Sequence, residues 1–270
     1  MSNPEIRFVA NTDIDREKWD RCIAQSPYAI AYAFSWYLDR ICTRWDALIS
    51  GDYLNVMPLV NNRKYGLKYV YQPFFTQQLG VFSAKKTDKV LVDNFLDAIP
   101  DQFRLIDMKL NIGNTIKDAQ FNFRENITYH LALNSCIDEI RQGYNTNTKR
   151  NIQKALQNKL SASVSNNIER FISFTQSNLS NKAPEVKSQH YTAFQEIIRF
   201  ALENKLGEIH VVSNDLSNWL SAAFFLKSGQ ASIYLAASSN SEGIEKSAMF
   251  LLIDNFIQQN AESDQIIDFE

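Results

Sequence analysis

The chain has 270 residues, 45% of them hydrophobic and 12% aromatic, more than one compact core usually needs and ample for burial in two. A net charge of −2 excludes a protein whose whole surface attracts nucleic acid, so no DNA partner is expected. The longest apolar runs, such as Leu220 to Leu226, are too short to cross a bilayer, the polar N-terminus has no signal-peptide pattern, and Cys22, Cys42 and Cys136 lack metal-ligand spacing; a reduced, cytoplasmic setting with no metal site and no membrane span is expected.

Ile6 to Ala10 alternates like a short strand, and Asp15 to Ala24 places Ile14, Trp19 and Cys22 on one helical face. Ser26-Pro27 breaks that helix, and a second runs from Tyr32 to Thr43. Three strands are expected next, at Trp45 to Ile49, Tyr53 to Val60 and Leu67 to Tyr71, with turns at Gly51-Asp52 and Asn61-Asn62-Arg63-Lys64. Thr87 to Ala98 reads as a helix closed by Pro100, Phe103 to Leu110 as a strand, and Phe121 to Leu133 as the strand that completes the first sheet.

After a helical connector from Ser135 to about Lys159, interrupted near Gly143, the same order returns. A strand at Ser161 to Ser165 leads to helices at Asn167 to Asn178 and Ser188 to Asn204. A meander follows at Gly207 to Val212, Trp219 to Leu226 and Ala231 to Ala237, then a helix at Ile244 to Gln259 and a strand at Gln265 to Phe269. The repeat predicts an α/β (α+β) chain of two domains, residues 1–134 and 135–270, each a mixed, mostly antiparallel sheet flanked by helices. Charge is uneven along it. Arg141, Lys149, Arg150, Lys154 and Lys159 face no acidic residue in their stretch, whereas the chain after Asn240 is acid-rich. One anionic ligand site is expected at the basic stretch.

Strand, two helices, three-strand meander, helix and strand is an order that resembles the GNAT N-acyltransferase fold, and two such units in tandem resemble the FemABX-like family, whose best-known members add amino acids to peptidoglycan precursors. Three segments carry the resemblance: Tyr71 through Pro73, Gln77, Gln78 and Gly80 to Ser83; Tyr144 through Thr148, Arg150, Asn151 and Lys154 to Ala155; and Ser221 to Ala223, Tyr234 to Ser239, Ala248 to Leu252 and Ile267 to Phe269. The resemblance implies a cytoplasmic aminoacyl- or acyltransferase acting on an amine-bearing, phosphate-containing acceptor such as a peptidoglycan precursor. It implies aminoacyl-tRNA as donor, with acyl-CoA second, and no tightly bound cofactor. Thr148 and Arg150 match positions that contact the phosphates of a nucleotide-linked substrate, Tyr234 matches a substrate-contacting position, and Lys149, Lys154 and Tyr71 join them in the expected substrate site, a cleft between the domains.

The sequence also departs from that pattern. Gln77 and Gln78 stand where peptidoglycan-bridge members carry an acid after the proline, leaving the catalytic base unassigned. A Gly-rich loop that would cradle a CoA pyrophosphate is represented in the second half by Gly243 alone. The family's closing turn, helix and two strands are not matched after Phe269, so the second domain is expected to be C-terminally short and its last strand to have an unpaired or unusually covered edge. Two alternatives stay open: a catalytically inactive binding module, and an acyl-CoA-dependent N-acyltransferase of small molecules. His130, His190 and His210 show no pattern with a serine or cysteine.

Overall fold

In the computed structural model, which describes residues 5–116, 121–179 and 183–270, the first half of the chain is built on two strands buried on both faces. The elements of this unit, Met1–Asn126, are β1 (Ile6–Val9), α1 (Arg16–Gln25), α2 (Ser35–Ile41), β2 (Trp45–Ser50), β3 (Asn55–Lys64), β4 (Leu67–Val70), β5 (Phe82–Ser83), α3 (Lys89–Asp97) and β6 (Phe103–Ile106). The sheet runs β1-β2-β3-β4-β6 with β5 beside β3, and only β4 and β6 are parallel. Leu48, Met57, Leu59 and Val70 point to the face covered by Val92, Phe95 and Leu96 of α3. On the opposite face Trp45 meets Trp19 of α1 at 4.9 Å between ring centroids.

Asn61 to Lys64, expected as a loop, instead continue β3. The strand extends because Asn61 finds buried partners, donating to Asp46 Oδ2 at 3.0 Å and to the Leu59 carbonyl at 2.9 Å. The turn moves to Tyr65 and Gly66, both with positive φ (51° and 84°), the requirement of a two-residue hairpin.

The second unit, Ile127–Glu270, contains β7 (His130–Ala132), α4 (Ile137–Gln142), α5 (Thr146–Gln157), β8 (Ser161–Ser165), α6 (Ile168–Leu179), α7 (Ser188–Glu203), β9 (Gly207–Ser213), β10 (Trp219–Ser228), β11 (Ala231–Ser239), α8 (Ser241–Glu245), α9 (Ala248–Asn260) and β12 (Ile266–Asp268). Its sheet runs β7-β12-β11-β10-β9-β8, with β11 and β12 parallel. The series β8, β9, β10, β11, β12 thus repeats β1, β2, β3, β4, β6 in pairing and direction, so both halves carry the same mixed α/β design. One face packs on α5 and α9 through Ala155, Ala223, Phe225, Leu252, Phe256 and Ile267. The other packs on α6 and α7, where Phe171 and Phe194 approach Phe224.

The segment expected to complete the first sheet does something else. Of Phe121 to Leu133, only His130–Ala132 is strand, and it pairs antiparallel with β12, Leu131 opposite Ile267. Leu131 and Leu133 supply the reason, since they pack into the second unit's core. The outer edge of β12 is therefore covered, by a strand that has no counterpart among the described residues of the first unit's sheet.

Candidate functional site

Asn145 starts α5: its Oδ1 accepts the Thr148 N–H at 2.8 Å, the bond expected of an N-cap. After the expected interruption near Gly143 the helix opens at Thr146, two residues before Thr148. The Thr148 N–H is consequently occupied by the cap. At about 100° per residue, Thr148 and Arg150 lie about 160° apart around the axis, while Arg150 and Lys154 are about 40° apart. Thr148 accordingly turns toward the side of buried Ile152 and Ala155, and Arg150 and Lys154 share the exposed side. Arg150 Nη2 donates to Asn147 Oδ1 at 3.0 Å. Lys149 projects from a third direction and donates to the Gln142 carbonyl at 3.1 Å. Of the four residues expected to line one face, the helix thus brings together Arg150 and Lys154.

Tyr234, on β11, is a core side chain in this unit. Its ring packs on Phe225 and Phe269 at 5.4 and 5.8 Å between centroids, its hydroxyl donates to Met249 Sδ at 3.1 Å, and burial pushes the hydroxyl pKa up. Tyr71, in the first unit, follows β4. Its N–H donates to the Val60 carbonyl at 3.0 Å, its ring lies 5.7 Å from that of Tyr69, and burial, with smaller contributions from Cys42 and Tyr69, pushes its hydroxyl pKa up to about 12.

The segment after Tyr71 is tied down by its own side chains. Gln72 Nε2 donates to the Thr76 carbonyl at 2.9 Å while its Oε1 accepts the Lys109 N–H at 3.0 Å, and the Tyr37 hydroxyl donates to the Phe75 carbonyl. Within this frame Thr76 Oγ1 and Gln77 Oε1 are buried without a hydrogen-bond partner. A buried hydroxyl, which can donate and accept, and a buried amide oxygen, which accepts, each call for a polar partner such as water. From sequence, Gln77 was noted as part of the resembling segment and as standing where an acid was expected.

Three polar clusters of the second unit were not read from sequence as clusters: two join residues 113 and 140 positions apart, and the third joins Glu208 and His210 on one strand to Lys227 on the next. Asp254, 4% exposed, accepts from Arg141 and from the Tyr144 hydroxyl. Asp268 accepts from the Thr128 hydroxyl at 2.6 Å and faces His130 Nε2 at 3.4 Å. Glu208 lies between His210 Nε2 at 3.0 Å and Lys227 Nζ at 2.9 Å, and the hydrogen bond from His210, then that from Lys227, lowers its carboxyl pKa to about 2 against the cost of burial. One signal was available: an aspartate inside the apolar run of α9 needs a partner. Strand alternation puts Asp268 and His130 on the α6–α7 face, opposite to α5, so they do not join Arg150. Gly243 has a structural cause as well. A side chain there would sit 2.0 Å from the Leu220 carbonyl oxygen, and its N–H is taken by Asn240 Oδ1 at 2.7 Å.

No family model matches the sequence, and no curated protein matches it. Solved structures do share its fold. FemX superimposes with a TM-score of 0.64 at 12% identity, over 98% of this chain and 88% of FemX. The C-terminal domain of a putative lysylphosphatidylglycerol synthetase from Agrobacterium fabrum follows, with a TM-score of 0.54 at 9% identity over 94% of this chain and 77% of that one. A GCN5-related glucosamine N-acetyltransferase region of a fungal multi-domain GH3 β-N-acetylglucosaminidase gives a TM-score of 0.50 at 11% identity, over 100% of this chain and 36% of that one. The chain has a FemABX-like, GNAT-type fold. Among the described residues no helix is long and apolar enough to cross a membrane.

Proposed function

Starting from this FemX-like fold, we propose that the chain transfers an aminoacyl group, or a simpler acyl group, to the amine of a phosphate-containing acceptor. The observation that carries this reading is the extent of the likeness, which spans 98% of the chain and so takes in both units and the helix bearing Arg150 and Lys154. The names of two neighbours, a putative lysylphosphatidylglycerol synthetase and a glucosamine N-acetyltransferase, accord with group transfer. Arg150 offers a planar fork to a phosphate and Lys154 a point charge beside it. Thr148 and Lys149 contribute to the same helix start, Tyr71 belongs to the first unit, and Tyr234 braces the core of the second beneath its sheet. The partly capped helix N-terminus adds a favourable field for an anion.

In the reaction the acceptor nitrogen forms a bond to the donor's carbonyl carbon, the bond from that carbon to the donor's oxygen breaks, and the amine proton is released as the leaving oxygen takes one up. Aminoacyl-tRNA is the donor that fits this description; a CoA thioester would need a phosphate cradle, and the Gly243 N–H is already engaged.

A second reading, binding without turnover, has its own support. Among the described residues the buried carboxylates are Asp46, Asp254 and Asp268, and each is occupied: Asp46 accepts from the Asn11 N–H and Asn61, Asp254 from Arg141 and Tyr144, Asp268 from Thr128. Incubation with a nucleotide-linked muramyl peptide and either charged tRNA or a CoA thioester separates the cases. Amide formation from charged tRNA supports the transfer, amide formation from the thioester changes the donor, calorimetric binding without product leaves the binding module, and no binding of the phosphorylated acceptor refutes both.

A further inference from the structure

The β3–β4 hairpin leaves apolar surface in the open. Tyr65 at its tip is 92% exposed, Leu67 is 58% exposed, and Leu105 on β6 is 63% exposed. Lys64 pairs with Leu67, and Tyr69 pairs with both Asn62 and Leu105, so strand alternation sets Leu67, Tyr69 and Leu105 on one face. The tip protrudes: nothing lies within 4 Å of a side chain added at Gly66.

Cations lie on both faces of the hairpin: Lys64 shares the face of Leu67, and the cross-strand pair Arg63 and Lys68 takes the other. Residues 61–70 hold Arg63, Lys64 and Lys68 with no acid, and residues 101–106 hold Arg104 with Asp101. Lys64 Nζ lies 5.3 Å from the centroid of the Tyr65 ring, Arg63 Nε donates to the Gly66 carbonyl at 3.2 Å, and Lys68 Nζ donates to Gln102 Oε1 at 2.7 Å. Each of the three is held near the tip by an uncharged partner. Single exposed apolar side chains are ordinary, but a cluster of them on a protruding, cation-ringed turn marks an interaction surface.

We propose that this tip docks on an anionic lipid surface, the cations meeting lipid phosphates while Tyr65, Leu67 and Leu105 enter the headgroup and upper acyl layer. The leucines favour lipid over a nucleic-acid strand. Bases gain from stacking on aromatic faces, which leucine does not offer, whereas hydrocarbon removes leucine surface from water and a tyrosine ring suits the headgroup level. The inference stands apart from the transfer reaction proposed above.

Co-sedimentation of the full chain with vesicles of phosphatidylcholine alone, or of phosphatidylcholine mixed with phosphatidylglycerol, tests it. Binding is expected to the mixed vesicles only, and to fall as sodium chloride is raised, because exposed charges are screened. Combining Arg63→Ser with Lys64→Ser should weaken it about 25-fold, about fivefold per cation. Combining Leu67→Ser with Leu105→Ser should weaken it about tenfold with the salt dependence kept. All four positions are exposed, and a thermal melt confirms that each variant stays folded. An Arg150→Ala, Lys154→Ala variant should bind as the parent does. Equal binding to neutral vesicles, no vesicle binding, indifference to both hairpin variants, or loss through the Arg150 variant alone would each overturn the proposal. Hairpin-dependent binding to single-stranded poly(uridylate) without vesicle binding would replace lipid with nucleic acid.

Discussion

Arg141 grips the buried carboxylate of Asp254 from the far end of the second unit's sequence, with Nε 3.0 Å from Oδ1 and Nη2 2.6 Å from Oδ2. The Tyr144 hydroxyl adds a third bond at 3.1 Å, and together they fasten α4 and the turn between α4 and α5 to α9. The hydrogen bond to Asp254 holds the guanidinium pKa up. Arg141→Ala should therefore strand a buried charge. Urea denaturation should show a loss of about 2 kcal/mol, within the range for a hydrogen bond to a charged group and below that of a fully buried pair, because the guanidinium is partly exposed. A variant as stable as the parent would show that solvent replaces Arg141 without cost.

Arg150→Ala should weaken a phosphate-bearing ligand by about 1.5–3 kcal/mol, the range for a charged hydrogen bond. Lys154→Ala should matter less, since a flexible ammonium offers no fork. Calorimetry with a nucleotide-linked muramyl peptide reads both, and affinity should decline with ionic strength. Affinity unchanged by Arg150→Ala would remove α5 from the site.

The Glu208 carboxyl, lowered from 4.5 to about 2, is ionised more readily in the folded state than in the unfolded one. Such a group stabilises the fold above the unfolded value, and the contribution is lost as pH falls through the folded value. The window is about pH 4.5 down to 2. Glu208→Gln should flatten the fall in urea midpoint across that window, by an amount reduced by solvent because the carboxylate is partly exposed. An unchanged acid limb would assign the acid sensitivity elsewhere.

Gly243→Ala should destabilise by about 2 kcal/mol or more, because the added methyl group would press on the Leu220 backbone, which cannot move without disturbing β10. Gly229→Ala, where the space is open, is a comparison in which only the positive φ opposes the change. Equal melting temperatures for parent and Gly243→Ala would show that α8 shifts freely.

Local pattern by itself determined most of the elements. Ser161–Ser165 is strand as its alternation required, the helix of Ser188–Glu203 buries Tyr191, Phe194, Ile197, Ile198 and Ala201 at the spacing read from sequence, and the repeat of element order reappears as a repeat of strand pairing. Side-chain period and turn chemistry act over a few residues, so they are legible without a partner. The divergence of Thr148 from Arg150 was local as well, since residues two apart on one helix turn to opposite sides. Partner choice was not. Whether His130–Ala132 joined one sheet or the other depended on which core could take Leu131 and Leu133, a long-range packing decision. Arg141 with Asp254, and Glu208 with His210 and Lys227, were likewise settled by tertiary contact, since a buried charge selects whichever opposite group the fold brings within reach.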